Sequence, residues 1–75
     1  MNKYLLKLLN TTKEDLLYNF DKETDAVYIS FKWGRLSLIK DMLSEFGALS
    51  KEQLKELDEL KEKVVRKLKD LSKEN

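Results

Sequence analysis

Ala26-Val27-Tyr28-Ile29-Ser30-Phe31-Lys32-Trp33-Gly34 is the stretch on which the reading of this chain turns. Val27, Ile29, Phe31 and Trp33 alternate with Tyr28, Ser30 and Lys32. Successive side chains on a strand point to opposite faces, so period-two alternation in β-branched and aromatic residues predicts a half-buried strand. The expectation is one strand, or one arm of a hairpin, around 26–33, ended by Gly34. Upstream lies Asp21-Lys22-Glu23-Thr24-Asp25, a polar turn in which Asp21 or Asp25 can accept backbone N–H groups.

Further upstream, residues 13–20 fit two patterns. Thr12 followed by Asp15 has the outline of a capping box opening a helix through Leu16, Leu17 and Phe20. Leu16, Tyr18 and Phe20 also alternate with Leu17 and Asn19, as in a strand. Both readings stay open. Residues 3–10 carry Tyr4, Leu5, Leu8 and Leu9 at helical spacing with Lys3 and Lys7 opposite, which predicts a short amphipathic helix that Asn10 can stop.

Downstream of Gly34 the period becomes helical. Leu36, Ile39, Met42, Leu43 and Phe46 are expected on one face, with Lys40, Asp41 and Glu45 facing away. Gly47 stands where a left-handed helix cap belongs. Ser50 and Gln53 form a capping box, opening a helix over about 51–72 with the stripe Leu54, Leu57, Leu60, Val64, Leu68 and Leu71. Glu59–Lys63 and Glu62–Arg66 are i,i+4 pairs in the favourable orientation. The stripe averages close to 3.5 residues per turn, which suits packing onto this domain or a seam with another chain. The fold class expected is α+β, mostly α: a short N-terminal helix, one strand or hairpin around 26–33, then two helices, about 35–46 and 51–72. Residues 1–75 read as a single small domain.

Composition removes most chemistry. The 75 residues include no cysteine and no histidine, so disulfides, thiolate metal sites and the commonest general base are all missing. Serines 30, 37, 44, 50 and 72 therefore have no histidine to activate them. Two glycines make no phosphate loop. Asp21, Glu23 and Asp25 begin like a calcium loop, but its sixth position falls on Ala26 and its twelfth on Lys32, where glycine and glutamate are required. The expectation is a non-enzymatic protein with no metal, no cofactor and no small-molecule substrate.

Fifteen basic and fourteen acidic residues leave a net charge of +1, too even for strong nonspecific nucleic-acid binding. Met1-Asn2-Lys3-Tyr4-Leu5-Leu6-Lys7-Leu8-Leu9 has the look of a signal start, but Lys7 breaks the apolar run and no small-residue cleavage site follows. No segment is apolar over the ~18 residues a membrane span requires. No membrane association is expected, and the setting read from these features is cytoplasmic. A domain of this size has little core to draw on, and with disulfides and metals removed, self-association is the reinforcement left.

Two resemblances add to this. The order strand, helix, glycine turn and Ser-capped helix resembles the ribbon-helix-helix family of DNA-binding repressors. It is carried by Val27-Tyr28-Ile29-Ser30-Phe31-Lys32, the helix Leu36 to Phe46, and Gly47-Ala48-Leu49-Ser50-Lys51. It implies a dimer whose paired strands enter the major groove, with Tyr28, Ser30 and Lys32 facing bases and the helix start near Leu49-Ser50-Lys51 holding a phosphate. Separately, Phe20-Asp21-Lys22-Glu23-Thr24-Asp25-Ala26-Val27-Tyr28-Ile29 resembles the hairpin signature of a small uncharacterised bacterial family, which implies a hairpin over Leu16–Trp33.

The function expected from the residues themselves is a small protein-interaction or regulatory module. It would bind another protein or itself, as a homo-oligomer, through apolar helix faces, with Trp33, Met42, Phe46, Leu57 and Val64 as contact residues. The alternative, from the first resemblance, is a dimeric DNA-binding regulator using Tyr28, Ser30 and Lys32.

Overall fold

Asp25 settles the conformation of the stretch that follows it. In the structure, a computed structural model that describes residues 2–73, Asp25 takes an extended backbone conformation and its Oδ1 accepts from the backbone N–H groups of Val27 (3.0 Å) and Tyr28 (3.2 Å). That is helix N-capping: the carboxylate satisfies two donors that the first helical turn leaves without partners. The chain from Ala26 onward is accordingly a helix. The elements are α1 (Asn2–Leu17), α2 (Ala26–Glu45) and α3 (Lys51–Lys73).

The expected α+β fold is thus corrected to an all-helical one among the described residues: the strand or hairpin around 26–33 is the first half of α2. The period-two pattern has a helical explanation. Val27 and Phe31 are i,i+4 neighbours on one side of α2, and Ile29 and Trp33 are i,i+4 neighbours on another. Apolar residues on two sides of one helix produce the same alternation as one side of a strand. Ile29 is buried and Trp33 packs against the core, whereas Val27 and Phe31 face out. A lone strand would also leave a row of backbone groups without partners, while a helix satisfies its own.

The ambiguous residues 13–20 are helical as far as Leu17, and Asn10 does not stop the helix, which continues through it. Thr12 does not cap a new helix; it is buried in α1, and Thr11 Oγ1 donates to the Lys7 carbonyl one turn back at 2.9 Å. The stop comes at Asn19, whose φ of 55° places it in the left-handed region that asparagine tolerates better than other side chains. The polar turn exists as expected. It is held by Lys22 and Glu23 N–H groups donating to the Asn19 carbonyl, both at 3.0 Å, and by Glu23 Oε2 accepting from Thr24 and Asp25.

The second connection was read correctly. Gly47 sits at φ 63°, with its N–H donating to the Ser44 carbonyl and the Ala48 N–H reaching back to the Leu43 carbonyl, both at 3.0 Å. This pair of bonds is the Schellman arrangement. Ser50 and Gln53 then cap α3 reciprocally: Gln53 N–H donates to Ser50 Oγ (3.1 Å) and Ser50 N–H to Gln53 Oε1 (2.8 Å).

Helix α2 packs against both α1 and α3. Leu5, Leu9, Thr12 and Leu16 of α1 meet Ile29, Leu36, Ile39 and Leu43 of α2 and Leu57, Leu60, Val64 and Leu71 of α3 in one core. The leucine stripe of α3 therefore faces inward. Phe20, from the first connection, is buried too, with the ammonium groups of Lys63 and Lys67 at 5.4 and 5.6 Å from its ring centre. Lys67 Nζ also donates to the Asp21 carbonyl at 3.0 Å, tying the connection to α3. Lys63 is drawn to that ring, and neither the Glu59–Lys63 nor the Glu62–Arg66 pair is closed; among the described residues the ion pairs are Lys32–Asp15 (3.1 Å) and Lys13–Glu56 (3.8 Å). The bundle is elongated, 41 × 19 × 16 Å.

Candidate functional site

At about 100° per residue, Val27, Phe31, Leu38 and Met42 fall within an arc of roughly 60° on α2, and Phe46, its C-cap residue, lies about 40° outside that arc one turn further on. The buried residues Ile29, Leu36, Ile39 and Leu43 occupy the other side of the same helix. The outer residues are mostly uncovered: Val27 is 78% exposed, Phe31 67%, Leu38 61% and Phe46 63%, while Met42, at 38%, is more than half covered. Helices apolar all round are usually enclosed on all sides. This one is enclosed on one side, by α1 and α3, and bare on the other. From their exposures, the five side chains present on the order of 500–600 Å² of apolar surface, near the top of the range for the largest patch on a monomer.

Gly34 lies within this stripe, between Phe31 and Leu38 along the helix, and is itself exposed. A Cβ built there meets nothing within 4 Å, so no contact inside the chain requires a glycine at this position. Tyr28 and Arg35 border the stripe on one side. Glu45 falls within the arc at its C-terminal end.

Of the contact residues expected from sequence, Met42 and Phe46 lie on this surface. Trp33 is half-buried against the core, and Leu57 and Val64 are inside it. Leu36, Ile39, Met42, Leu43 and Phe46 fall within about 120° of one another; Leu36, Ile39 and Leu43 are buried, and Met42 and Phe46 stand exposed towards one edge of that face. Val27, Phe31 and Leu38 were missed as surface residues. The signal that finds them is the i, i+4, i+11, i+15 and i+19 spacing of Val27, Phe31, Leu38, Met42 and Phe46, visible once the helix is taken to start at Asp25.

The β-ribbon reading of Tyr28, Ser30 and Lys32 loses its strand. On a helix these residues do not share a face, since Ser30 projects well away from the i,i+4 pair Tyr28 and Lys32. The Lys32 ammonium is engaged by Asp15 at 3.1 Å and lies 5.4 Å from the Tyr28 ring centre. Two of the three turn carboxylates are likewise occupied, Glu23 and Asp25 accepting backbone N–H groups.

Among the described residues there is no cluster of three or more potential metal ligands, and no helix is long and apolar enough to cross a membrane. The concavities are shallow; one of about 490 Å³ is lined by Asp58, Lys61, Glu62, Val65, Arg66 and Lys69, all from α3. The bare side of α2 is therefore the surface most unlike an ordinary solvated exterior. No protein-family model, curated protein or solved structure matches the chain.

Proposed function

We propose that this protein is a non-enzymatic interaction module that binds another protein chain through the outer face of α2. The observation that carries the reading is the row Val27, Phe31, Leu38, Met42 and Phe46, large apolar side chains left bare on a helix whose other side is core. Contiguous apolar patches of this size mark docking surfaces, because their removal from water is worth ~25 cal/mol per Å². The non-enzymatic part rests on the sequence, which has neither histidine nor cysteine to serve as base, nucleophile or soft metal ligand. A cysteine-free chain of even charge fits a cytoplasmic setting.

The test is site-specific photocrosslinking in cells that express the protein. A benzophenone side chain in place of Phe31 or Leu38 should give discrete protein adducts, and one in place of Lys55, exposed on α3, should give none. The Phe31 adducts should disappear when Leu38→Glu is added. Equal labelling from all three positions, or none from Phe31 and Leu38, would refute the assignment of the face.

A further inference from the structure

We infer that the occupant of the α2 face is a second copy of this chain, docked antiparallel about a two-fold axis that passes midway between Leu36 and Ser37. The inference rests on the reading of that face as a binding surface and names its partner. Three observations lead to it.

The stripe is self-complementary when reversed. Turning α2 about the midpoint of Val27 and Phe46 brings Phe46 of the second copy level with Val27, Met42 level with Phe31, and Leu38 level with Arg35, one residue from Gly34. In the outer two levels an aromatic ring meets an aliphatic side chain, and at the centre Leu38 meets the step between Gly34 and Arg35. A two-fold contact requires this kind of self-matching, because the same patch supplies both sides. Of the charged residues, Arg35 stands at the border, where its stem can cover apolar surface while its guanidinium stays in water. Glu45, inside the arc at its C-terminal end, comes level with Tyr28 of the second copy, and Asp41, which flanks the stripe on the side of Gly34, comes level with Lys32.

Gly34 is unexplained within one chain and explained by two. A glycine inside a helix costs about 1 kcal/mol relative to alanine, and here it serves no turn, no positive φ and no close approach. A partner helix crossing at this level would use the missing side chain, since glycine lets two backbones approach closely and leaves a hole for the facing Leu38.

The surface area agrees. The chain exposes 5718 Å², whereas a compact monomer of its 8.9 kDa mass exposes about 4,800 Å². Elongation spreads this excess of about 900 Å² over the whole bundle; the α2 face with its bordering residues is the part that a second bundle laid along it would cover, against the ~800 Å² that each partner contributes to a standard interface. Self-association also supplies the reinforcement that a 75-residue chain without disulfides lacks.

The experiment is light scattering on a size-exclusion peak, with sedimentation equilibrium from low to high micromolar concentration. The wild type should reach twice 8.9 kDa. Phe31→Glu and Leu38→Glu should stay at the monomer mass with unchanged helical circular dichroism, since both positions are exposed and the fold does not depend on them. Gly34→Leu should raise the dissociation constant tenfold or more, despite leucine's higher helix propensity. The chain has no cysteine, so register can be read directly: mixed Val27→Cys and Phe46→Cys proteins should crosslink to each other under mild oxidation, and neither should crosslink to itself.

A wild type that stays monomeric throughout overturns the second copy as occupant; photocrosslinking at Phe31 then decides separately whether the face binds anything. A dimer indifferent to both glutamate substitutions uses another surface and overturns the inference; photocrosslinking at Phe31 again decides whether the α2 face binds anything else. Self-crosslinking of Val27→Cys without the mixed product means parallel helices and overturns the antiparallel arrangement.

Discussion

Gly34→Ala and Gly47→Ala are the same chemical change made in two different backbones, and the structure assigns them opposite signs. Gly34 is in the middle of α2, where an added Cβ meets nothing within 4 Å. Alanine there gains the helix-propensity difference, so unfolding free energy should rise by about 0.8–1 kcal/mol. Gly47 has φ of 63°. Alanine in the left-handed region costs about 1–2 kcal/mol, partly offset by the ~0.4–1 kcal/mol that a stiffer unfolded chain returns. The net should be a loss of about 0.5–1 kcal/mol. The two variants should therefore differ by about 1.5–2 kcal/mol. Both are best measured in a Leu38→Glu background, so that association does not add to apparent stability. With a urea slope near 1 kcal/mol per molar for a chain this small, the midpoints should lie about 1.5–2 M apart, on either side of the parent and at equal slope. A strand ending at Gly34, followed by a turn, would make Gly34→Ala destabilising. Two shifts of the same sign would refute the helical assignment of 26–34.

Three further experiments probe the core face of α2, its N-cap and its ion pair with α1. Leu36→Ala should cost about 2–5 kcal/mol, and Leu38→Ala in the monomer less than ~0.5 kcal/mol, because the first is fully buried and the second faces water. Comparable losses in urea titrations would mean that the two leucines share a face, as they would on a strand. Asp25→Ala should cost about 1 kcal/mol and Asp25→Asn much less, since asparagine caps as well as aspartate and forfeits only the charge at the helix N-terminus; equal losses in thermal melts would show that the cap is not the cause. Lys32→Ala should cost ~0.5 kcal/mol through its bond to Asp15, and a double-mutant cycle with Asp15→Ala should give a coupling that shrinks in high salt. Zero coupling at low salt would remove that pair as a clamp between α1 and α2.

The parts of the fold that were legible in the sequence are those fixed by local chemistry. Gly47, Ser50 and Gln53 announce the end of one helix and the start of the next, and the bonds they form are those the pattern implies. The α3 stripe was legible because charged residues fill most positions between its apolar ones, which leaves one apolar face and no ambiguity of period. Its inward direction was not legible, since a core stripe and an intermolecular seam have the same spacing. α1 was cut short because Asn10, Thr11 and Thr12 are poor helix formers that favour caps and turns. Burial of Leu5, Leu9 and Leu16 on one side outweighed that preference. For the candidate site, the residues expected from sequence include Met42 and Phe46 but not Val27, Phe31 and Leu38, because the strand assignment broke the stripe into two unrelated pieces.

That break has a single physical origin. From Val27 to Trp33 the side chains are mostly β-branched or aromatic, which weakens helical preference by up to ~0.7 kcal/mol per residue relative to alanine, and Gly34 adds about 1. Local propensity therefore leans toward a strand, and α2 is helical because Asp25 caps it and because Ile29, Leu36, Ile39 and Leu43 find a core only in that conformation. The same side chains that oppose the helix locally are the ones left bare on its outer face. Val27 and Phe31 gain nothing from burial in the monomer, yet they carry the propensity cost. Covering them with an antiparallel α2 would convert that cost into interface, so the features that made this segment read as a strand are the ones that a helix-to-helix contact would use.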